Sequence, residues 1–239
     1  MMILSQLVLI LCISSAGDSW PLETSDTRIV IGVRDNLPVI QQLETPETAF
    51  NWAKGEVYVP LMAQAGVEGR LVDLQWVFDK GGTDADGVLR VQFTNERPKL
   101  SLESVWRARA GHGPIEHWVE ITNQDKESVM LTQQESLGLL LNIPGEQTEA
   151  WWIKRGGSNA STQGGTFHEP LRPGLHVNLL SNCEDGTSPV PWLALQTGNA
   201  HGLYVGWEFS GLGRIAANAQ TDTVNIGVGL CPEFRTDIM

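Results

Sequence analysis

Short apolar runs, each bounded by turn-forming residues, recur along most of the chain and carry almost no helical period. Runs rich in Val, Ile, Leu, Trp and Phe predict strands over 28–33, 39–43, 57–63, 71–78, 88–95, 99–109, 115–122, 129–141, 150–154 and 176–182. A hairpin follows within Pro189–Ile215, and a last strand spans 223–230. Alternation is clearest in Leu71-Val72-Asp73-Leu74-Gln75-Trp76-Val77-Phe78 and Leu100-Ser101-Leu102-Glu103-Ser104-Val105-Trp106-Arg107. One face of each would enter a core and the other would meet water, so these strands call for a second sheet. Turn residues at 80–87, 95–98 and 123–127 separate the runs. The one predicted helix is short, from Thr45 to Trp52, with Thr45 as its cap and Pro46 in its first turn. The pattern is that of an all-β protein, a large antiparallel β-sandwich.

The amino end departs from this pattern. Met1 to Ala16 holds an apolar stretch, Leu7 to Ile13, followed by Ser14-Ser15-Ala16, a small-x-small signature for signal-peptidase cleavage before Gly17. The stretch is too short to span a bilayer, which takes about 20 apolar residues. Residues 1–16 are therefore expected to be a signal peptide that directs export, periplasmic or extracellular, and 17–239 a single β-domain. A lipoprotein anchored through Cys12 is disfavoured, because Leu11 stands where a small residue is wanted.

With 239 residues, 41% of them hydrophobic and nine of them tryptophan, the chain can bury a sizeable core. Its net charge of −12, spread without blocks, disfavours nucleic acid as a partner. After removal of the leader, Cys183 and Cys231 remain, which permits one disulfide in an oxidising compartment; spacing does not decide whether it forms. No Cys-x-x-Cys spacing is present. His168 with His176, and His112 with His117, lack the i, i+4 spacing of a helical zinc site, so neither a metal nor any other cofactor is expected. Asn159-Ala160-Ser161 is a glycosylation sequon.

A retaining glycosidase needs two carboxyl groups about 5 Å apart in a sugar-sized pocket. The acids beside strands here, Asp73, Glu103, Glu116 and Glu120, fall at positions expected of a solvated face, so no catalytic residue is assigned. Tryptophan supplies flat apolar platforms for sugars as well as core packing. Trp151 and Trp152 are adjacent and would point to opposite sides of a strand, ahead of the polar, glycine-rich stretch Lys154 to Asn159. The candidate sugar-contacting set is Trp151, Trp152, Lys154, Arg155 and Asn159. Trp76, Trp106 and Trp118 read as core, and Trp192 and Trp207 as a packed pair across the hairpin.

Two passages carry a family resemblance. The hairpin has a proline-led strand, Pro189-Val190-Pro191-Trp192-Leu193-Ala194-Leu195-Gln196, then Gly202-Leu203-Tyr204-Val205-Gly206-Trp207 and Ser210-Gly211. Upstream lie Ile115 to Asp125 and Val129-Met130-Leu131-Thr132. In wording and order they resemble the N-terminal β-supersandwich domain, galactose-mutarotase-like, of the melibiase-type α-galactosidases of glycoside hydrolase family 36. The match extends in broad pattern from Ile115 to Gly229, and 151–167 has no counterpart in it. The resemblance implies a non-catalytic domain that packs on a (β/α)8 barrel bearing the catalytic aspartates, takes part in oligomer contacts and supports α-galactoside hydrolysis. The alternative is a stand-alone secreted β-sandwich that binds a carbohydrate.

Overall fold

The computed structural model describes residues 18–48, 50–132, 135–143, 147–155, 164–181, 189–198, 201–208, 212–230 and 236–239. The described residues contain no helix. Their strands are β1 Ser19–Glu23, β2 Arg28–Arg34, β3 Leu37–Thr45, β4 Phe50–Asn51, β5 Val57–Tyr58, β6 Gln64–Val67 and β7 Arg70–Asp73. Then come β8 Val77–Thr83, β9 Val88–Asn95, β10 Leu100–Ala108, β11 Ile115–Asn123, β12 Val129–Leu131, β13 Glu135–Asn142 and β14 Thr148–Lys154. The series closes with β15 Gly165–Pro170, β16 His176–Ser181, β17 Pro189–Thr197, β18 His201–Gly206, β19 Gly213–Ala219, β20 Thr223–Leu230 and β21 Thr236–Ile238.

These strands form five antiparallel sheets: β1-β2-β3-β4 with β5 on β3; β11-β10-β9-β8; β21-β12-β6-β7; β13-β20-β19-β16; and β15-β14-β17-β18. Neighbouring strands in the chain often join through tight turns whose residues suit them. Asp35 and Asn36 take φ of 53° and 61° between β2 and β3, and Glu68-Gly69 do the same between β6 and β7 at 49° and 76°. Two-residue hairpins need this left-handed backbone, which Asn, Asp and Gly reach at low cost. Alternation then decides what is buried. Leu139, Ile226, Ala217 and Val177 lie opposite one another across β13, β20, β19 and β16, all on the inner face. One core cluster draws on every sheet, with Ile31, Ala65, Phe93, Leu193 and Ile226 among its members. The protein is an all-β sandwich, as the pattern of apolar runs predicts.

The predicted helix at Thr45–Trp52 does not form. Thr45 is the last residue of β3 and pairs with Phe50, with a turn at Pro46–Thr48 between them. This hairpin carries Trp52 into the core at 1% exposure, its ring edge-on to Phe50 at 5.1 Å and its amide bonded to the Leu43 carbonyl. Burial of an indole outweighs the roughly 1 kcal/mol by which a capping residue favours a helical turn. Two long predicted strands are each divided between sheets. Residues 71–78 contribute to β7 and β8, and 129–141 to β12 and β13.

Trp118, expected in the core, lies on the outward face of β11. Its Nε1 donates to Glu120 Oε1 at 2.8 Å, and the Arg107 guanidinium sits 5.5 Å from its ring centre. Trp76 and Trp106 are buried as expected. Trp192 and Trp207 are not a cross-strand pair: Gly206 lies opposite Trp192, one residue short of Trp207. The Trp207 ring instead covers Gly213 at the start of β19. A Cβ on Gly213 would stand 2.5 Å from Trp207 Cδ1, with no room for it. Gly213→Ala is expected to lower the urea midpoint by the equivalent of about 1–3 kcal/mol, the usual cost of overpacking.

Candidate functional site

The sheet β15-β14-β17-β18 separates its residues cleanly by face. Ala150, Leu193, Leu195 and Val205 turn inward and are buried. On the opposite face His168, Trp151, Ala194 and Tyr204 stand side by side in one row, because each is the register partner of the next. The Trp151 and His168 rings stack at 4.2 Å and 13°. Tyr204 is 51% exposed. Glu149 and Gln196, paired across β14 and β17, form the adjoining row. The Glu149 carboxylate holds His168 Nδ1 at 3.3 Å, and Gln196 donates its amide N–H to the Gly198 carbonyl.

The structure parts the five sequence candidates. Trp151 faces out, whereas Trp152 turns to the other face, packs on the core and stacks with Phe167 at 6.2 Å. Lys154 follows Trp152, with its Nζ 5.0 Å from the Phe167 ring centre, and Arg155 is exposed just past the end of β14. Asn159 lies outside the described residues, as do the sequon, Cys183, Cys231 and the leader. Tyr204, His168 and Ala194 were not assigned as sugar contacts from sequence; His168 entered only as one half of a histidine pair without metal-site spacing. Trp192, Ala194 and Gln196, at alternate positions of one strand, were the available signal.

Acidic residues cluster elsewhere, on the outward face of β10 and β11. Glu103 and Glu120 are register partners that share one cation, Arg90, at 2.9 and 3.6 Å. Glu116 takes Arg107 and Arg109, each at 2.6 Å. Partial burial raises the Glu116 carboxyl, but the bonds from Arg109 and Arg107 outweigh it and hold its pKa below the ordinary 4.5. Glu116, held by two guanidinium groups, is thereby disfavoured as a proton donor, and Glu103 and Glu120 are engaged by Arg90 rather than presented to a pocket. Among the described residues no group of three His, Cys, Asp or Glu is placed to hold a metal.

A Ser–His contact exists in the interior. Ser104 Oγ lies 3.0 Å from His117 Nε2 and accepts the Trp106 Nε1 hydrogen at 2.9 Å. Ser104 is fully buried, so no substrate reaches its hydroxyl, and its role is packing. A groove of about 610 Å³ over β6, β7 and β12, lined by Gln64, Arg70, Leu71, Met130 and Asp237, has no aromatic ring in its lining.

No family model matches the chain, and no curated protein matches it. Among solved structures it is similar to the α-galactosidase of Lactobacillus brevis, at TM-score 0.67 and 16% identity over 93% of this chain and 37% of that one. It is similar in the same way to the family 36 α-galactosidase AgaA of Geobacillus stearothermophilus, at TM-score 0.67 and 15% identity over 93% and 38%. The galactosidase domain of the α-galactosidase–sucrose kinase AgaSK matches at TM-score 0.68 and 11% identity over 91% and 38%. The chain thus spans under two fifths of the length of these proteins. It has the β-sandwich fold of one portion of the family 36 α-galactosidases.

Proposed function

We propose that this chain is an exported, non-catalytic β-sandwich domain of an α-galactosidase-like glycoside hydrolase, supporting α-galactoside hydrolysis by a (β/α)8 barrel. The observation that carries this reading is the extent of the likeness: nearly the whole chain superposes, on little more than a third of each enzyme. The ion-paired state of Glu103, Glu116 and Glu120 agrees with a domain that does no acid–base work. The domain's role is then to pack on the barrel, to take part in oligomer contacts and to help shape the approach of a galactoside. Its leader is Met1 to Ala16, so the exported protein begins at Gly17.

The test is hydrolysis of 4-nitrophenyl α-D-galactopyranoside, together with the reading frame that follows the Met239 codon. The purified chain is expected to release nitrophenol no faster than buffer does. A frame encoding a (β/α)8 barrel, fused or adjacent, is expected downstream. Turnover by the chain alone, or the lack of any barrel there, overturns the reading. Amino-terminal sequencing of protein recovered outside the cytoplasm tests the leader, and recovery of unprocessed chain inside the cell would count against export.

The outward-facing rings on β14 and β18, Trp151 half-buried and Tyr204 exposed, favour a second reading, a secreted carbohydrate-binding β-sandwich that acts without a barrel. The downstream frame separates the two.

A further inference from the structure

We infer that the outward face of β14, β17 and β18 is a binding subsite for one pyranose ring, held between Trp151 and Tyr204 over the methyl group of Ala194. The proposal goes beyond the proposed function and is argued from this sheet's own residues.

Three observations carry it. Trp151, Trp192 and Tyr204 project from this sheet without packing against the buried core, whereas Trp152, Leu203 and Trp207 of the same segments do pack against it. Trp151 and Trp192 are half-buried and Tyr204 is exposed, and rings on a strand face that add nothing to the core are poorly explained by stability alone.

The second observation is the orientation of Trp151. His168 on β15 covers one face of the indole at a nearly parallel 13°, so the other face is turned toward β17. There the register partner is Ala194, which rises no higher than a methyl group, and beyond it on β18 is Tyr204. Two strand spacings separate β14 from β18, about 9–10 Å. Contacts at about 3.5–4.0 Å on either side leave a slot one saturated six-membered ring thick. Trp151 Nε1 is buried and has no hydrogen-bond partner, so the part of the indole that meets the slot is carbon. A carbon surface suits the C–H face of a sugar.

The third is the polar row beside the slot. Gln196 has committed its amide N–H to Gly198, which leaves its carbonyl oxygen to accept, and the Glu149 carboxylate is a second acceptor. Hydroxyl groups on the ring's rim are donors that match both. The chemistry recognised is therefore a neutral sugar with one apolar face and a hydroxylated edge.

The experiment is titration of the whole chain, followed through the indole N–H resonances of its nine tryptophans, with methyl α-D-galactopyranoside, methyl α-D-glucopyranoside and choline chloride as probes. Saturable shifts of the Trp151 indole with at least one glycoside are expected, at millimolar affinity. Trp151→Ala should weaken binding at least about tenfold, as should Ala194→Leu, which fills the floor while leaving every ring in place. Tyr204→Phe, which keeps the ring, should bind nearly as the parent does. Chemical-shift dispersion of each variant shows whether it is folded. Absence of saturation with both glycosides overturns the proposal, as does binding that Ala194→Leu leaves intact. Shifts of the same indole by choline alone would mark a cation cage and overturn it equally.

Discussion

Trp106→Ala is expected to cost about 3–5 kcal/mol, a large share of the roughly 5–15 kcal/mol that holds an ordinary domain folded. Trp106 is 2% exposed and sits where β10 faces the core. Its ring stacks on His117 at 4.0 Å, and its Nε1 donates to Ser104 Oγ at 2.9 Å. Truncation removes an indole's worth of buried surface and leaves a cavity that Leu102 and Phe93, already buried on the same face, can fill only by shifting. It also takes a donor from a hydroxyl with no access to water. Trp106→Phe separates the two effects: it keeps a ring against His117 and loses the N–H, and is expected to cost about 1–3 kcal/mol. Urea unfolding followed by circular dichroism measures both, with an unchanged m-value as the sign that only the native state has moved. A Trp106→Ala protein as stable as the parent would show that this corner of the core is not close-packed.

Much of this core was legible before any coordinates, and the reason is visible in particular strands. The predicted strands 88–95 and 223–230 coincide with β9 and β20, whose alternating apolar residues lie between strong turn signals. Where the pattern failed, tertiary context had overruled it. β19, Gly-Arg-Ile-Ala-Ala-Asn-Ala, has low strand propensity, yet it forms between β16 and β20 with Ile215, Ala217 and Ala219 buried. β15, Gly-Thr-Phe-His-Glu-Pro, is mostly exposed and so carries no apolar alternation, yet it supplies the edge of its sheet. Trp118 illustrates a related difficulty. Large apolar content suggested core, but its place opposite Val105 puts it on the outward face, where Arg107 and Glu120 satisfy it.

The candidate site was half legible for the same reason. Opposite orientation of Trp151 and Trp152 follows from the two-residue period of a strand, and the structure shows it. What stands beside Trp151 does not follow from local sequence, because the sheet order β15-β14-β17-β18 brings His168, Ala194 and Tyr204 to it from three separate strands. Lys154 was grouped with Trp151 by proximity in the chain, and the strand turned it toward Phe167 instead. The resemblance to the family 36 enzymes named the fold, and likeness to solved structures shows that fold over 93% of the chain. Neither identifies a sugar contact, which has to be argued from ring geometry.

Acidification is expected to destabilise the protein from about pH 6.5 downward, ahead of the range in which carboxylates titrate. His117 packs on Trp106 with its Nε2 against Ser104 Oγ, and its Nδ1 is buried with no partner. Burial lowers its pKa from 6.5 to about 3, since an imidazolium there would lose its hydration and gain no anion. Between those two values the unfolded chain binds a proton that the native state refuses, so stability falls as pH falls, by about 1.4 kcal/mol per pH unit. From pH 6.5 to 5 the loss is about 2 kcal/mol, and the dependence fades above about pH 7.5, where the unfolded chain no longer binds the proton. Glu116 acts in a separate window. Its pKa is lowered in the native state, so its contribution is present above 4.5 and lost as pH falls below that. His117→Phe keeps a ring on Trp106 and cannot titrate. It is expected to flatten the stability curve between pH 6.5 and 5 while leaving the decline below 4.5 in place. Urea midpoints at half-unit steps of pH for both proteins measure this, and equal slopes between pH 6.5 and 5 would mean that His117 is reached by water or an anion in the native state.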